Sequence, residues 1–219
     1  MDEYVVQESV KDGILVRVVP DMDPMHPREN GDMLGVFVDW HRRDRVGDRH
    51  IDADEERALK RGGWRLLKRY LRTVKHAVCV LPVALYDHSG WTIWVGSEPH
   101  AFDAAGWDSG QVGFIYATRE QVALLGAPLD SVERQLRAEI SELDEYFTGQ
   151  VFGIKAYLPV SQDPDEEDVE DWEEVDACWG YFGFDHALTN VDELRAQAAA
   201  IRHARQVAPI NVEAAWMQS

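Results

Sequence analysis

Residues 77–95 read AVCVLPVALYDHSGWTIWV. Residues 77–86 form an apolar, β-branched run of strand length, residues 87–90 have turn composition, and residues 91–95 form a second β-rich run. Two such runs joined by so short a turn predict an antiparallel hairpin. Pro82 cannot donate to a ladder, so it predicts an edge position or a bulge within the first strand.

Working outward, residues 112–117 (VGFIYA) predict the next strand after a Gly, Pro and Asp-rich loop at 96–111. Thr118 opens a short helix. Asp130-Ser131-Val132-Glu133 has capping-box spacing with Asp130 in the cap position. Behind it Val132, Leu136, Ile140, Leu143 and Phe147 form an apolar stripe, which predicts a helix ended by Gly149. Residues 150–159 and 174–184 predict two more strands, and a final helix covers about 191–206. On the N-terminal side, residues 14–19 and 34–40 predict strands. Between them, Pro24 and Pro27 restrict a loop. A helix follows residue 52, capped by Asp52 or Asp54 and broken at Gly62-Gly63. Trp64, Leu67, Leu71 and Val74 then share one face.

Strands and helices mix without a regular βαβ alternation. The predicted fold class is therefore α+β, a mainly antiparallel sheet with helices packed on one side. With no internal repeat and no linker, the expectation is a single α+β domain over 1–219, carrying an acidic loop at 162–174 and the C-terminal helix.

The 219 residues are 45% hydrophobic and 28% charged, a globular balance with ample length for a core. No apolar run approaches the roughly 18 residues of a membrane helix, and the start, Met1-Asp2-Glu3-Tyr4, lacks a signal-peptide pattern. No membrane partner is expected. Cys79 and Cys178 form neither a disulfide framework nor a metal motif, and read as reduced thiols. The net charge of −18 disfavours direct nucleic-acid binding. The charge is bipolar, however. Residues 57–76 hold eight Lys and Arg and no acid, whereas residues 163–176 hold ten acids and no base. The expected fate of the arginines is pairing with the abundant acids. A block of like charge such as 163–176 is ordinarily a solvated loop.

Three polar segments fall at strand ends: HRRDRVGD at 41–48, YDHSG at 86–90 and WDSGQVG at 107–113. Loops on a rigid scaffold are where binding residues concentrate. His41, Arg42, Arg43, Asp48, Asp87, His88, Ser89, Trp107, Asp108, Ser109 and Gln111 are accordingly the candidate ligand-binding residues. His41, Asp48, Asp87, His88 and Asp108 have the ligand types for a transition metal, but no HExxH or HxH spacing. Ser89 or Ser109 with His41 or His88 has the groups for nucleophilic catalysis, but no GxSxG elbow. Asp, Ser and Gly in these positions are also ordinary turn chemistry. No cofactor, metal or catalytic residue is assigned.

The same blocks carry a resemblance. HRR followed by GD, then LYDHSG, then WDSGQVGFIY, then EEVDACWGYFGFD, with DPMHPREN and LDEYFTGQVFG, resemble a family of uncharacterised tailed-bacteriophage proteins over residues 20–185. The resemblance implies a phage-borne protein acting in a bacterial cytoplasm. That family has no settled activity, so no catalytic residue carries over, and the acidic run and C-terminal helix depart from its pattern.

With the bipolar charge and no complete catalytic signature, the leading expectation is a non-enzymatic accessory protein that binds a host protein and antagonises defence or nucleic-acid machinery. Asp165, Glu166, Glu167, Asp168, Glu170, Asp171 and Trp172 would form its partner-binding arm, with charge steering and the indole anchoring. The alternative is a small-molecule or nucleotide site, with or without metal-assisted hydrolysis, built from the three polar loops.

Overall fold

The computed structural model describes residues 4–29, 33–41, 43–161, 164 and 169–216, with side chains as far as residue 207. The fold class is α+β with mainly antiparallel sheets. The chain packs as two compact units, residues 1–25 with 149–219, and residues 26–148.

The first unit is a four-stranded sheet in the order β1 (Gln7–Lys11), β2 (Ile14–Pro20), β8 (Val151–Pro159), β9 (Trp172–Phe182). β1 was not anticipated, although Asp12-Gly13 is the two-residue turn that a tight hairpin selects. Both residues have positive φ, and Lys11 pairs with Ile14 across them. Helix α4 (Phe184–Trp216) covers one face. Ala187, Leu194 and Ala198 pack on Val16, Val18, Ile154 and Ala156. Arg195, buried, donates to the Ile14 carbonyl at 2.8 Å and to Ser9 Oγ at 2.8 Å, tying α4 to the first hairpin. The helix starts seven residues before the predicted position 191. Gly183, with φ of 85°, ends β9, and Phe184 and Ala187 bury against the sheet, so the apolar pattern there belongs to the helix and not to the strand.

The second unit is a five-stranded sheet ordered β4 (Arg49–His50), β3 (Val36–Asp39), β7 (Ser109–Thr118), β5 (Ala77–Asp87), β6 (Trp91–Val95). The β5–β6 hairpin forms as predicted, with Asp87 opposite Trp91. β5 is an inner strand and not an edge, and its pairing with β7 carries a bulge-like register shift between Val83 and Ala84, next to Pro82. Pro82 is tolerated because β6 pairing stops at Val83, so its missing N–H falls just past the end of that ladder. β7 begins at Ser109 and not at 112, which makes Ser109, Gly110 and Gln111 strand residues.

Alternate residues of this sheet face opposite helices. Val38, Val80, Phe114 and Tyr116 meet Leu67 and Leu71 of α1 (Ala53–Thr73). Phe37, Leu81, Val83 and Ile115 meet Leu136, Ile140 and Leu143 of α3 (Val132–Phe147). Short α2 (Arg119–Leu124) is capped by Thr118, with Gln121 completing the box. α3 lacks the predicted Asp130 cap. Ser131 holds the cap position, and its hydroxyl donates to the Pro128 carbonyl at 2.8 Å rather than capping the helix. α1 starts on an Asp52–Glu55 capping box and breaks at Gly62 and Gly63, whose backbone angles leave the helical region.

Asp144 of α3 accepts from the Ile93 N–H at 2.8 Å, fastening the helix to β6. Burial pushes its carboxyl above the ordinary value, against opposing contributions from the Ile93 N–H and from His100. A raised carboxyl pKa means that the folded chain holds the proton more tightly than the unfolded chain. Its stabilising contribution is full below the unfolded pKa and is lost as pH rises through the folded value. Asp144→Asn keeps an acceptor for Ile93 and removes this titration. In urea unfolding, the variant should gain stability on the wild type as pH rises above the carboxylate range, with the gap closing on acidification.

Candidate functional site

The site begins with two carboxylates that fold the 40–48 segment. Asp39, fully buried at the end of β3, accepts from the His41 N–H at 3.1 Å and the Gly47 N–H at 2.8 Å, and lies 2.7 Å from His50 Nδ1. Asp48 accepts from the Phe37 N–H at 2.8 Å and pairs with Arg28 through both oxygens. Gly47 is required here. A Cβ would stand 2.6 Å from the Phe37 carbonyl oxygen. Val46 plugs the loop into the core at 2% exposure.

Arg28 is the centre of this support. Its side chain also donates to Glu139 of α3 at 3.1 Å and to the Gly35 carbonyl at 2.7 Å. Glu139 in turn accepts from the Leu34 N–H at 2.8 Å and the Gly35 N–H at 3.1 Å. Burial pushes the Glu139 carboxyl up, while Arg28 and the two N–H groups pull it down, and burial wins. For the Arg28 guanidinium, burial works against the charge, but its bonds to Asp48 and Glu139 outweigh it and raise the pKa.

The second and third segments are joined to each other. The Asp87 N–H donates to the Asp108 carbonyl at 2.9 Å, and His88 Nδ1 lies 3.3 Å from Asp108 Oδ2. Asp103 organises the loop before β7 by accepting from the Trp107 N–H, the Asp108 N–H and the Ser109 hydroxyl at 3.0, 2.9 and 2.8 Å. Desolvation raises its carboxyl pKa, but the Ser109 hydroxyl and these N–H groups prevail and hold it below the ordinary value. The Tyr86 ring stacks on His100 with centroids 4.6 Å apart, packing the loop against β5.

All three segments contribute to one open cleft of about 340 Å³. Trp40, His41 and Arg43 form one wall, Asp87 sits between, and Trp107, Asp108, Ser109 and Gln111 form the other, over a floor of Leu85 and Val112. His41 Nε2 is 3.7 Å from Asp87 Oδ2. His41 Nδ1 faces the Asp44 backbone, 3.2 Å from its N–H and 3.3 Å from its carbonyl oxygen, while Nε2 is the ring nitrogen on the Asp87 side. Trp107 is 87% exposed and Trp40 42% exposed, so both indoles are accessible to solvent at the cleft.

Other candidates lie elsewhere. Asp48 is spent on Arg28 and Phe37 and does not line the cleft. His88 and Ser89 stand outside its lining, in the exposed turn where Ser89 has φ of 60°. Arg42 lies outside the described residues. Ser109 Oγ donates to Asp103 and accepts from the His100 N–H at 3.0 Å, so its partners are not the His41 or His88 ring that a nucleophile–base pair requires. The five proposed metal ligands separate into His41–Asp87, His88–Asp108 and Asp48–Arg28 pairs, and among the described residues no group of three or more His, Cys, Asp or Glu is gathered for a metal.

Of the acidic segment, Asp165, Glu166, Glu167 and Asp168 lie outside the described residues. Glu170 and Asp171 belong to a 3-10 turn, Val169–Asp171. Trp172 opens β9 and is only 6% exposed, packed with Leu15 and Tyr157. Its indole is part of the core and is not the exposed anchor expected of it. Glu173 pairs with Arg205 at 2.6 Å and Glu174 with Lys155 at 3.1 Å.

Asp39, Arg28, Glu139 and Asp103 were not singled out from the sequence. Each acts through backbone N–H groups or partners distant in the chain, and no local motif marks that role. No protein-family model, curated protein or solved structure matches the chain.

Arg28→Met removes the cation from two carboxylates that remain largely buried. Breaking such a group by removing one partner costs about 3–5 kcal/mol. Guanidinium or urea unfolding should show a loss of that order, and amide exchange of Phe37 and Gly47 should accelerate more than that of β5.

Proposed function

We propose that this chain is a binding protein whose working site is the three-loop cleft, and that its ligand is a nucleotide or a similar small molecule combining a planar ring with an anionic group. The observation that supports this reading is the meeting of residues far apart in sequence, Trp40, His41 and Arg43, Asp87, and Trp107 to Gln111, around one cleft with exposed indole rings. Plain turns would not need to converge, and exposed tryptophans carry a hydration cost that a stacked ring would relieve.

The chemistry divides by position. Stacking of a base on an indole contributes about 1–3 kcal/mol. Arg43, exposed and without an ion-pair partner among the described residues, offers a planar fork for a phosphate. Asp87 and Asp108 repel an anion and accept from hydroxyl or amino groups, so they suit the sugar or base end of the ligand. His41 Nε2, 3.7 Å from Asp87, stands beside that carboxylate in the cleft. Nothing in this arrangement requires a reaction, and the reading is of binding.

The resemblance to tailed-phage proteins supports a setting in an infected bacterial cytoplasm, where such a protein would withhold a nucleotide from host machinery. One observation favours a host protein as the occupant instead. Phe102, 89% exposed, shares a loop with Trp107, and paired aromatic anchors are typical of protein hot spots.

Calorimetric titration with nucleosides and with their mono-, di- and triphosphates tests the reading. Trp107→Ala and Arg43→Ala should each weaken binding by about tenfold or more, as loss of about 1.4 kcal/mol implies. Both should leave the thermal midpoint unchanged, and Arg43→Ala should act only on phosphorylated ligands. His88→Ala, outside the cleft, should bind as the wild type does. No binding to any nucleotide at millimolar concentration would remove this reading, and a pull-down from host lysate lost in Phe102→Ala but kept in Arg43→Ala would favour the protein partner.

A further inference from the structure

A second surface of the same unit has a different chemistry. Gly62 and Gly63 fold α1 into two pieces that turn back on each other, so that Lys75, just beyond the second piece, pairs with Asp52, the cap of the first, at 3.0 Å. In the second piece, Trp64, Leu67 and Leu71 face the sheet. Arg65, Lys68, Arg69 and Arg72 recur at i, i+3, i+4 and i+7, which groups them on one face beside that apolar stripe, with Arg65, Arg69 and Arg72 exposed and Lys68 half-buried at its margin. Arg57, Arg61 and Arg69 line a notch of about 300 Å³ between the two pieces.

The pairing of these cations decides what the surface is for. In an acidic chain the ordinary fate of such residues is an intramolecular ion pair. Arg57 pairs with Asp54, Lys60 with Glu56 and Lys75 with Asp52, all carboxylates of the first turn or its cap. Arg61, Arg65, Lys68, Arg69 and Arg72 pair with no carboxylate among the described residues. Five cations without an ion-pair partner among the described residues, within twelve residues of a chain of net charge −18, form a concentrated positive field. At physiological ionic strength charges interact over only about 8 Å, so the local face and not the distant acids governs what docks on it.

We infer that the outer face of the α1 hairpin docks the phosphodiester backbone of a nucleic acid, without reading its sequence. Three features favour that occupant over an acidic protein. Four of the five unpartnered cations are arginine, whose fork matches phosphate oxygens. Among the described residues, the exposed large apolar side chain at the end of α1 is its C-cap Val74, an aliphatic group rather than the aromatic anchor that a protein interface centres on. The outer stripe from Arg65 to Arg72 is about 10 Å long at 1.5 Å per residue, which matches about three phosphates at 3.4 Å rise on one strand. The overall acidity then limits binding to contacts made by this face, which suits a weak, salt-sensitive attachment.

Fluorescence anisotropy with a labelled random-sequence DNA duplex, and with a single-stranded RNA of equal length, tests the inference. The wild type should bind duplex DNA at about 50 mM salt and lose roughly fortyfold in affinity by about 200 mM, the dependence for about three neutralised phosphates. Tighter binding of one probe would identify the source of the backbone. The combined variant Arg65→Gln, Lys68→Gln, Arg69→Gln, Arg72→Gln should lose that binding and its salt dependence while keeping the wild-type circular dichroism. If it does not fold, the Arg65→Gln, Arg72→Gln pair should still lower the salt slope by about two. Failure of both probes to bind the wild type at low salt would overturn the inference. So would an unchanged slope in the folded variants, or polyglutamate binding as tightly as the nucleic acids.

Discussion

The second unit depends on one buried guanidinium. Arg28 lies between Asp48, Glu139 and the Gly35 carbonyl, and through them joins the 3-10 turn at Pro27–Glu29, the start of β3, the 40–48 loop and α3. Two carboxylates without a cation in that position would be severely desolvated, and a cation without them equally so. Their mutual satisfaction, extended by the N–H groups of Leu34, Gly35 and Phe37, makes the arrangement specific rather than merely strong. Gly35 belongs to the same constraint. A Cβ there would approach Leu136 to 2.5 Å and Glu139 to 2.8 Å. The carboxylate reaches the backbone only because no side chain intervenes.

The cleft follows from this support. Asp48 and Asp39 close the 40–48 segment at its two ends, which holds Trp40, His41 and Arg43 toward β5 and β7. Across from them, Asp103 does the corresponding work for Trp107, Asp108 and Ser109. Each wall is therefore held by a carboxylate bonded to backbone N–H groups, while the residues exposed in the cleft are left with little to do structurally. That division of labour, with buried acids positioning and exposed rings and cations presented, separates supporting residues from those available to a ligand.

The sequence carried the α+β class, the central hairpin, the apolar stripe of α3, that of α1 apart from Val74, which is its exposed C-cap, and the Gly62-Gly63 break, because each is a short-range pattern. The three polar loops could also be found, since clusters of His, Asp, Arg and Gly at strand ends are local features. Their convergence could not, because it depends on the strand order β4-β3-β7-β5-β6, which no local signal encodes. The same reason hid Arg28 and Glu139, separated by 111 positions. Trp172 shows the opposite error. Surrounded in sequence by acids, it reads as an exposed contact, yet it packs onto Leu15 and Tyr157 while its acidic neighbours Glu173 and Glu174 are exposed and pair with Arg205 and Lys155. Asp12-Gly13 is a local signal for the β1–β2 hairpin, since both residues take the positive φ that such a turn needs.

The eight tryptophans offer a direct test of where a ligand goes. In a two-dimensional nitrogen–proton spectrum each indole N–H gives its own signal, assignable by single substitution. Titration with a purine nucleotide should move the signals of Trp40 and Trp107 and leave Trp64 and Trp172, both packed into cores, where they are. Unmoved signals for Trp40 and Trp107, or movement confined to tryptophans away from the cleft, would contradict the assignment of the three-loop cleft as the binding site.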